Sequence, residues 1–119
     1  MTLLTAEIRR RLPSLYATEE ESDATVQVKL FTPWTSWTWY VIEFDGDDLC
    51  FGLVDGYELE LGYFSLSELE SIRGPGGLTI ERDLTFTPRP LSELREAIER
   101  RRAVEANPRL PFGGRERGS

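Results

Sequence analysis

Alternation of apolar and polar positions organises the middle of the chain. Val26, Val28 and Leu30 alternate with Gln27, Lys29 and Phe31, the period-two pattern of a half-buried strand. Over Thr38–Phe44 both sides are apolar or amphipathic. Trp37, Trp39 and Val41 fall on one face, and Thr38, Tyr40, Ile42 and Phe44 on the other. A strand of that kind lies centrally and is covered on two sides. Leu49–Val54 forms a third strand, with Gly52 expected to make room for an indole. Tyr57–Phe64 forms a fourth, with Tyr57, Leu59, Leu61 and Tyr63 on one face and Glu58 and Glu60 on the other. Turn signals at Thr32–Ser36, Asp45–Asp48 and Asp55–Gly56 separate the strands and predict an antiparallel meander.

The period changes to that of a helix in three places. Thr5 can cap a short helix reaching about Leu12, with Leu4, Ile8 and Leu12 as its apolar stripe and Pro13 as its stop. Ser65-Leu-Ser-Glu68 is a capping box opening a helix to about Ile72, with Gly74 expected as its left-handed cap. Leu78–Phe86 reads as extended and is a candidate edge strand. The last helix runs from Ser92 to about Ala106 on a thin stripe of Leu91, Leu94 and Ile98; its packing partner stays open. Ser14–Thr25, with its run Glu19–Asp23, reads as a solvated connector, and residues 107–119 as a disordered tail. The expectation is one α+β domain over residues 1–106: a meander of four to five strands, a short N-terminal helix, a short helix after the fourth strand and a C-terminal helix.

Composition narrows the chemistry. The chain of 119 residues contains no histidine, which removes serine–histidine triads and histidine-ligated zinc. Its one cysteine, Cys50, sits in the apolar run Leu49–Phe51 and reads as a buried hydrophobe in a reducing compartment. No apolar run has the length of a membrane span, and the N-terminus lacks the charge-first order of a secretory signal, so the expected location is the cytoplasm. The net charge of −7 is unevenly spread. Residues 1–72 hold four basic side chains against fourteen acidic ones, and residues 73–119 hold ten arginines against seven acids. An acidic body repels phosphate backbones, so a basic protein surface is the better electrostatic match.

Several stretches together resemble a known, functionally uncharacterised family of small proteins from conjugative plasmids and integrated bacterial elements. They are Leu3–Thr5, Leu12-Pro13, Leu15-Tyr16, Phe31-Thr-Pro-Trp34, Trp37-Thr-Trp-Tyr40, Gly62-Tyr-Phe-Ser-Leu-Ser-Glu-Leu69, Ile80-Glu-Arg-Asp83, Phe86 and Pro90-Leu91. The resemblance runs through roughly residue 95. It implies a mobile-element setting, often near genes for DNA transfer, single-strand binding or anti-restriction, and it carries over no catalytic residue.

The candidate sites fall into three groups. Trp34, placed in a turn after Pro33, is the indole expected to be partly exposed and to meet a partner; Trp37, Trp39 and Tyr40 read as scaffold. Asp45, Asp47, Asp48, Asp55, Glu58 and Glu60 are expected to form a negative belt along the hairpin ends. The aspartates lack the later Glu and fixed Gly of a calcium loop, so no metal and no cofactor is assigned. Glu81, Arg82 and Asp83 form an acid–base segment, with Arg82 expected to pair with an acid of the meander. The leading expectation is a non-enzymatic, acidic interaction protein of a mobile element, binding a basic protein that handles nucleic acid, with anti-defence inhibition as its concrete form. The alternatives are a small enzyme with a site at Glu81–Asp83 near Tyr63, and a single-strand binder stacking bases on the tryptophans.

Overall fold

Every residue of Thr38–Phe44 (β3) is buried, and the sheet is built outward from that strand. Val28–Phe31 (β2) pairs with it on one side and Leu49–Asp55 (β4) on the other, both antiparallel. Leu59–Ser65 (β5) continues beyond β4, and the two-residue strand Glu81–Arg82 (β6) closes the far side, giving the order β5-β4-β3-β2-β6. Thr25–Val26 (β1) pairs instead with Arg89–Pro90 (β7). The helices are Ala6–Arg11 (α1), Leu66–Ser71 (α2) and Leu91–Ala106 (α3). The structure is a computed structural model and describes residues 2–106. The α+β meander expected from the sequence is present; the segment expected to form a tail lies outside the described residues.

One extra residue in β3 changes which side chains face where. Val41 pairs with Gly52 and Glu43 with Phe51, so Ile42 is a β-bulge. Strict alternation would put Phe44 beside Tyr40 and Ile42. The bulge turns Phe44 to the opposite face, where it joins Trp39, Val41, Cys50, Leu66 and Leu69 under α1 and α2. Glu43 is thereby carried to the face of Tyr40 and Ile42. On that face Leu94 and Ile98 of α3 pack over Val26, Tyr40, Ile42 and Leu53, so the last helix covers its own sheet.

Space requires a glycine at positions 52, 56 and 74, the second because a side chain there would run into the ring of Trp37. A side chain at Gly52 would run into the backbone carbonyl of Tyr40 across the strand pair, not into an indole. A side chain at Gly74 would run into the ring of Trp34. Gly74 is extended, with φ −106° and ψ −166°, and so is not the left-handed helix cap; α2 ends earlier, at Ile72. Half of the expected capping box forms, with the Ser65 hydroxyl accepting from the Glu68 amide at 3.2 Å. The remainder of the cap comes from Asp48, whose carboxylate accepts from the Ser67 amide at 2.7 Å and from the Ser65 hydroxyl at 2.5 Å.

Asp55 was expected in the solvated belt, and the structure corrects this: it is only 2% exposed. It ends β4 on the face covered by α3, where Arg101 reaches one carboxylate oxygen at 2.7 Å and Arg102 the other at 2.6 Å. Arg102 also donates to the carbonyl oxygens of Gly56 and Tyr57. The pair of arginines fastens the end of α3 to the β4–β5 hairpin. Removing the anion leaves two guanidinium groups without their buried counter-charge. The Asp55→Ala chain is expected to lose about 2–3 kcal/mol, less than a fully buried pair because both arginines keep some contact with water. Urea unfolding measures this, and a variant as stable as the parent would show that the clamp contributes nothing.

Candidate partner-binding surface

β5 is the outer strand of the sheet, and among the described residues no strand pairs with its far side. Its backbone therefore offers alternate N–H and C=O groups outward. The expected alternation holds from Leu59 to Tyr63; Tyr57 and Glu58 precede the strand, and Tyr57 turns to the Trp37 side with the glutamates. Leu59, Leu61 and Tyr63 lie on the α3 face, in register with Asp55, Leu53 and Phe51, and Glu60 lies on the opposite face beside Val54. Leu61 and Tyr63 are 40% and 50% exposed, and Tyr57, just before the strand, is 89% exposed.

A depression borders the strand on each face. On the Glu60 side a hollow of about 410 Å³ is lined by Trp37, Val54, Tyr57, Glu58, Glu60 and Gly62, and it reaches Leu61 and Tyr63 at the strand edge. Gly52 and Gly62 stand opposite each other there, and a side chain at Gly62 would meet nothing. The Trp37 ring meets Tyr57 edge-on, with centroids 5.2 Å apart and planes at 86°. Indole, phenol and two carboxylates around one hollow suit a cationic side chain, which gains from the ring faces and from the charges together.

On the α3 face a groove of about 480 Å³ runs between β5, the Tyr16–Ala24 connector and the start of α3. Its floor is Ile42, Phe51, Leu61 and Tyr63, and its far wall includes Tyr16, Leu91 and Arg95. Tyr16 has φ +69°, a left-handed backbone that a bulky residue adopts only under constraint. Glu43 supplies the constraint. Its carboxylate, 3% exposed, accepts from the Tyr16 amide at 2.8 Å and from the Thr18 amide at 2.9 Å and hydroxyl. Burial pushes this carboxyl up, and the bonds from Thr18 and Tyr16 more than offset it, leaving it below its ordinary value of 4.5. The Tyr63 phenol is pushed up, first by its contact with the Tyr16 hydroxyl.

The sequence-predicted residues separate in space. Glu58 and Glu60 face water beside β5, and Asp47 is exposed at the opposite hairpin end. Asp45 accepts from the amides of Asp47, Asp48 and Leu49, which hold it below the ordinary carboxylate range, and Asp48 caps α2. Both aspartates are consumed by the backbone they organise. Trp34 is half-buried against Gly74, away from β5, while Trp39 and Tyr40 are core. Trp37 is the indole that reaches the carboxylates.

Glu81, Arg82 and Asp83 line a concavity of about 450 Å³ with Lys29 and Phe31, on β6 at the opposite edge of the sheet from Tyr63. Arg82 does not pair with a meander acid; it donates to the carbonyl oxygens of Leu3 at 2.6 Å and Thr2 at 3.3 Å, pinning the N-terminal segment. Asp83 is held below its ordinary value, first by the Thr85 hydroxyl and amide and then by Lys29, 3.7 Å away. Asp23, read as part of a solvated loop, accepts from the Ser92 amide and hydroxyl and caps α3. Tyr16 and the role of Glu43 were missed at the sequence level. The available signal was a lone carboxylate at position 43 between Ile42 and Phe44 in an otherwise apolar strand.

A model of the family described as "Protein of unknown function (DUF2958)" matches residues 3–105. The chain belongs to this family. DUF2958 membership thus spans the whole sheet and nearly all of α3, and the open β5 edge lies inside the matched region. Comparison with curated proteins and with solved structures returned no match. No helix among the described residues is long and apolar enough to cross a membrane.

The depressed carboxyls make acid stability testable. A carboxyl held below its unfolded value contributes stability that is complete above the unfolded value and lost as pH falls through the folded one. Glu43, Asp23, Asp45 and Asp48 all have this sign. Stability is expected to fall from about pH 4.5 downward, and Glu43→Gln to make that decline shallower while lowering stability at neutral pH. Thermal melts from pH 7 to pH 3 check it; parallel curves for parent and variant would refute the role given to Glu43.

Proposed function

We propose that this DUF2958 protein is a non-catalytic, acidic interaction protein that binds a basic protein, one that handles nucleic acid, in the setting of a mobile genetic element. The observation that carries the reading is the division among its acids. Glu43, Asp55 and Asp83 are tied to partners within the chain, whereas Glu58 and Glu60 stand exposed beside Tyr57, Leu61 and Trp37 at an open strand. Carboxylates that have no partner among the described residues and stand next to exposed aromatics are recognition groups more readily than structural ones. The mobile-element setting and the inhibition of a host defence protein rest on the sequence resemblance and on this charge pattern, since spaced carboxylates imitate a phosphate backbone.

The chemistry of the remaining groups supports a binding role. Acid–base catalysis near neutral pH needs a carboxyl held up toward that range, and both Glu43 and Asp83 are held down. The Cys50 thiol is buried and pushed up to about 12 by desolvation first, then by Asp48 and Asp45, so it is not a nucleophile. Stacking of single-stranded bases on Trp37 is opposed by Glu58 and Glu60, which line the same hollow.

Association with the partner is expected to be salt-sensitive and to weaken at least about tenfold, about 1.4 kcal/mol, on Glu58→Lys with Glu60→Lys. Affinity capture from a host lysate at low salt, followed by titration of the captured protein, measures this. Capture that survives both charge reversals undiminished, or capture of acidic proteins alone, would overturn the reading.

A further inference from the structure

We propose that β5 receives its partner by strand addition: an extended segment with alternating basic and apolar residues becomes a sixth strand of the sheet. The inference rests on the binding role above and gives it a geometry. Three observations converge on this edge. The strand is seven residues long and has, among the described residues, no neighbour on its outer side. Its two faces differ in chemistry, with Glu60 on one and Leu61 and Tyr63 on the other. Each face opens into a depression next to the edge, one containing Trp37, Tyr57, Glu58 and Glu60, the other floored by Phe51, Leu61 and Tyr63.

An added strand sends successive side chains to opposite faces. Main-chain hydrogen bonds to β5 supply affinity independent of sequence, and the two depressions select the side chains. A lysine or arginine directed to the first face lies over the bare backbone of Gly62 with its cation between the carboxylates and the Trp37 ring. A valine, leucine or aromatic residue directed to the second face covers Leu61 and Tyr63. Arg101 and Arg102 of α3 are held by Asp55, and among the described residues no cation pairs with the edge carboxylates. The same charges argue against pairing between two copies of this chain, since β5 against β5 would bring the glutamates of both together.

The probe is a synthetic decapeptide alternating lysine and valine, titrated into the full chain at low salt. Its controls are a peptide of the same composition with all lysines before all valines, and the alternating peptide N-methylated at every second amide. The alternating peptide is expected to bind at least about tenfold more tightly than the block peptide. One of the two N-methylation phases should abolish binding, because only one row of amides faces β5. On binding, hydrogen exchange of amides within Leu59–Ser65 should slow. In the protein, Leu61→Lys should weaken the alternating peptide and leave the block peptide unchanged, with a thermal melt confirming that the variant is folded.

Equal affinity for the alternating and block peptides would overturn strand addition and leave the acidic-surface reading standing. Failure of both to bind would overturn the two together. Binding that survives both N-methylation phases, or concentration-dependent self-association abolished by Leu61→Lys, would also overturn the proposal.

Discussion

Burial of β3 on both faces is the constraint from which the rest of the structure follows. A strand carrying Trp39 and Val41 on one side and Tyr40 and Ile42 on the other needs an apolar layer above and below. The chain provides those layers with limited material. One is assembled from two six-residue helices and the N-terminal leucines, the other from the single helix α3. Leu94 and Ile98 are the buried residues of α3, and they cover the centre of the sheet. Coverage thins before β5, which has no fully buried residue along its length. The open edge is thus a consequence of where the helices run out.

The acids sort by the same geometry. Those near the covered centre must be satisfied, because an unpaired buried carboxylate costs several kcal/mol. Asp55 is met by two arginines, and Glu43 by two amides and a hydroxyl. Each bond ties a distant segment to the sheet: the end of α3 in one case, the Tyr16–Thr18 turn in the other. Asp23 and Asp48 do comparable work at helix N-termini, where backbone amides lack partners. A net charge of −7 therefore overstates the acidity available to a partner, since much of it is committed internally. Beside β5, Glu58 and Glu60 remain exposed on one side, and Glu19 and Glu21 line the groove on the other.

The bulge at Ile42 links the core to the surface. Without it Glu43 would point beneath α1 and α2, among Trp39, Val41 and Leu69, and Phe44 would point toward α3. With it the carboxylate arrives where it can hold Tyr16 in a left-handed backbone and stand that phenol against Tyr63. One inserted residue in the central strand thus shapes the groove beside the outermost strand.

Period-two alternation, turn dipeptides and capping residues are local, and they determined the order of elements, the central place of β3 and the separation of Glu60 from Leu61 and Tyr63 along β5. The Ser65 cap, the Leu4–Ile8–Leu12 stripe and the exposure of Glu58 and Glu60 were legible for the same reason: each depends on residues within a few positions of one another. The burial of Asp55 depends on arginines 46 and 47 positions away, and the cap from Asp23 on a serine 69 positions away. The bulge depends on how β3 and β4 settle against each other, which shifts every later side chain to the other face. Contacts of that range are chosen by packing of the whole sheet, so only the tertiary structure could decide which acids are consumed and which are left to meet a partner.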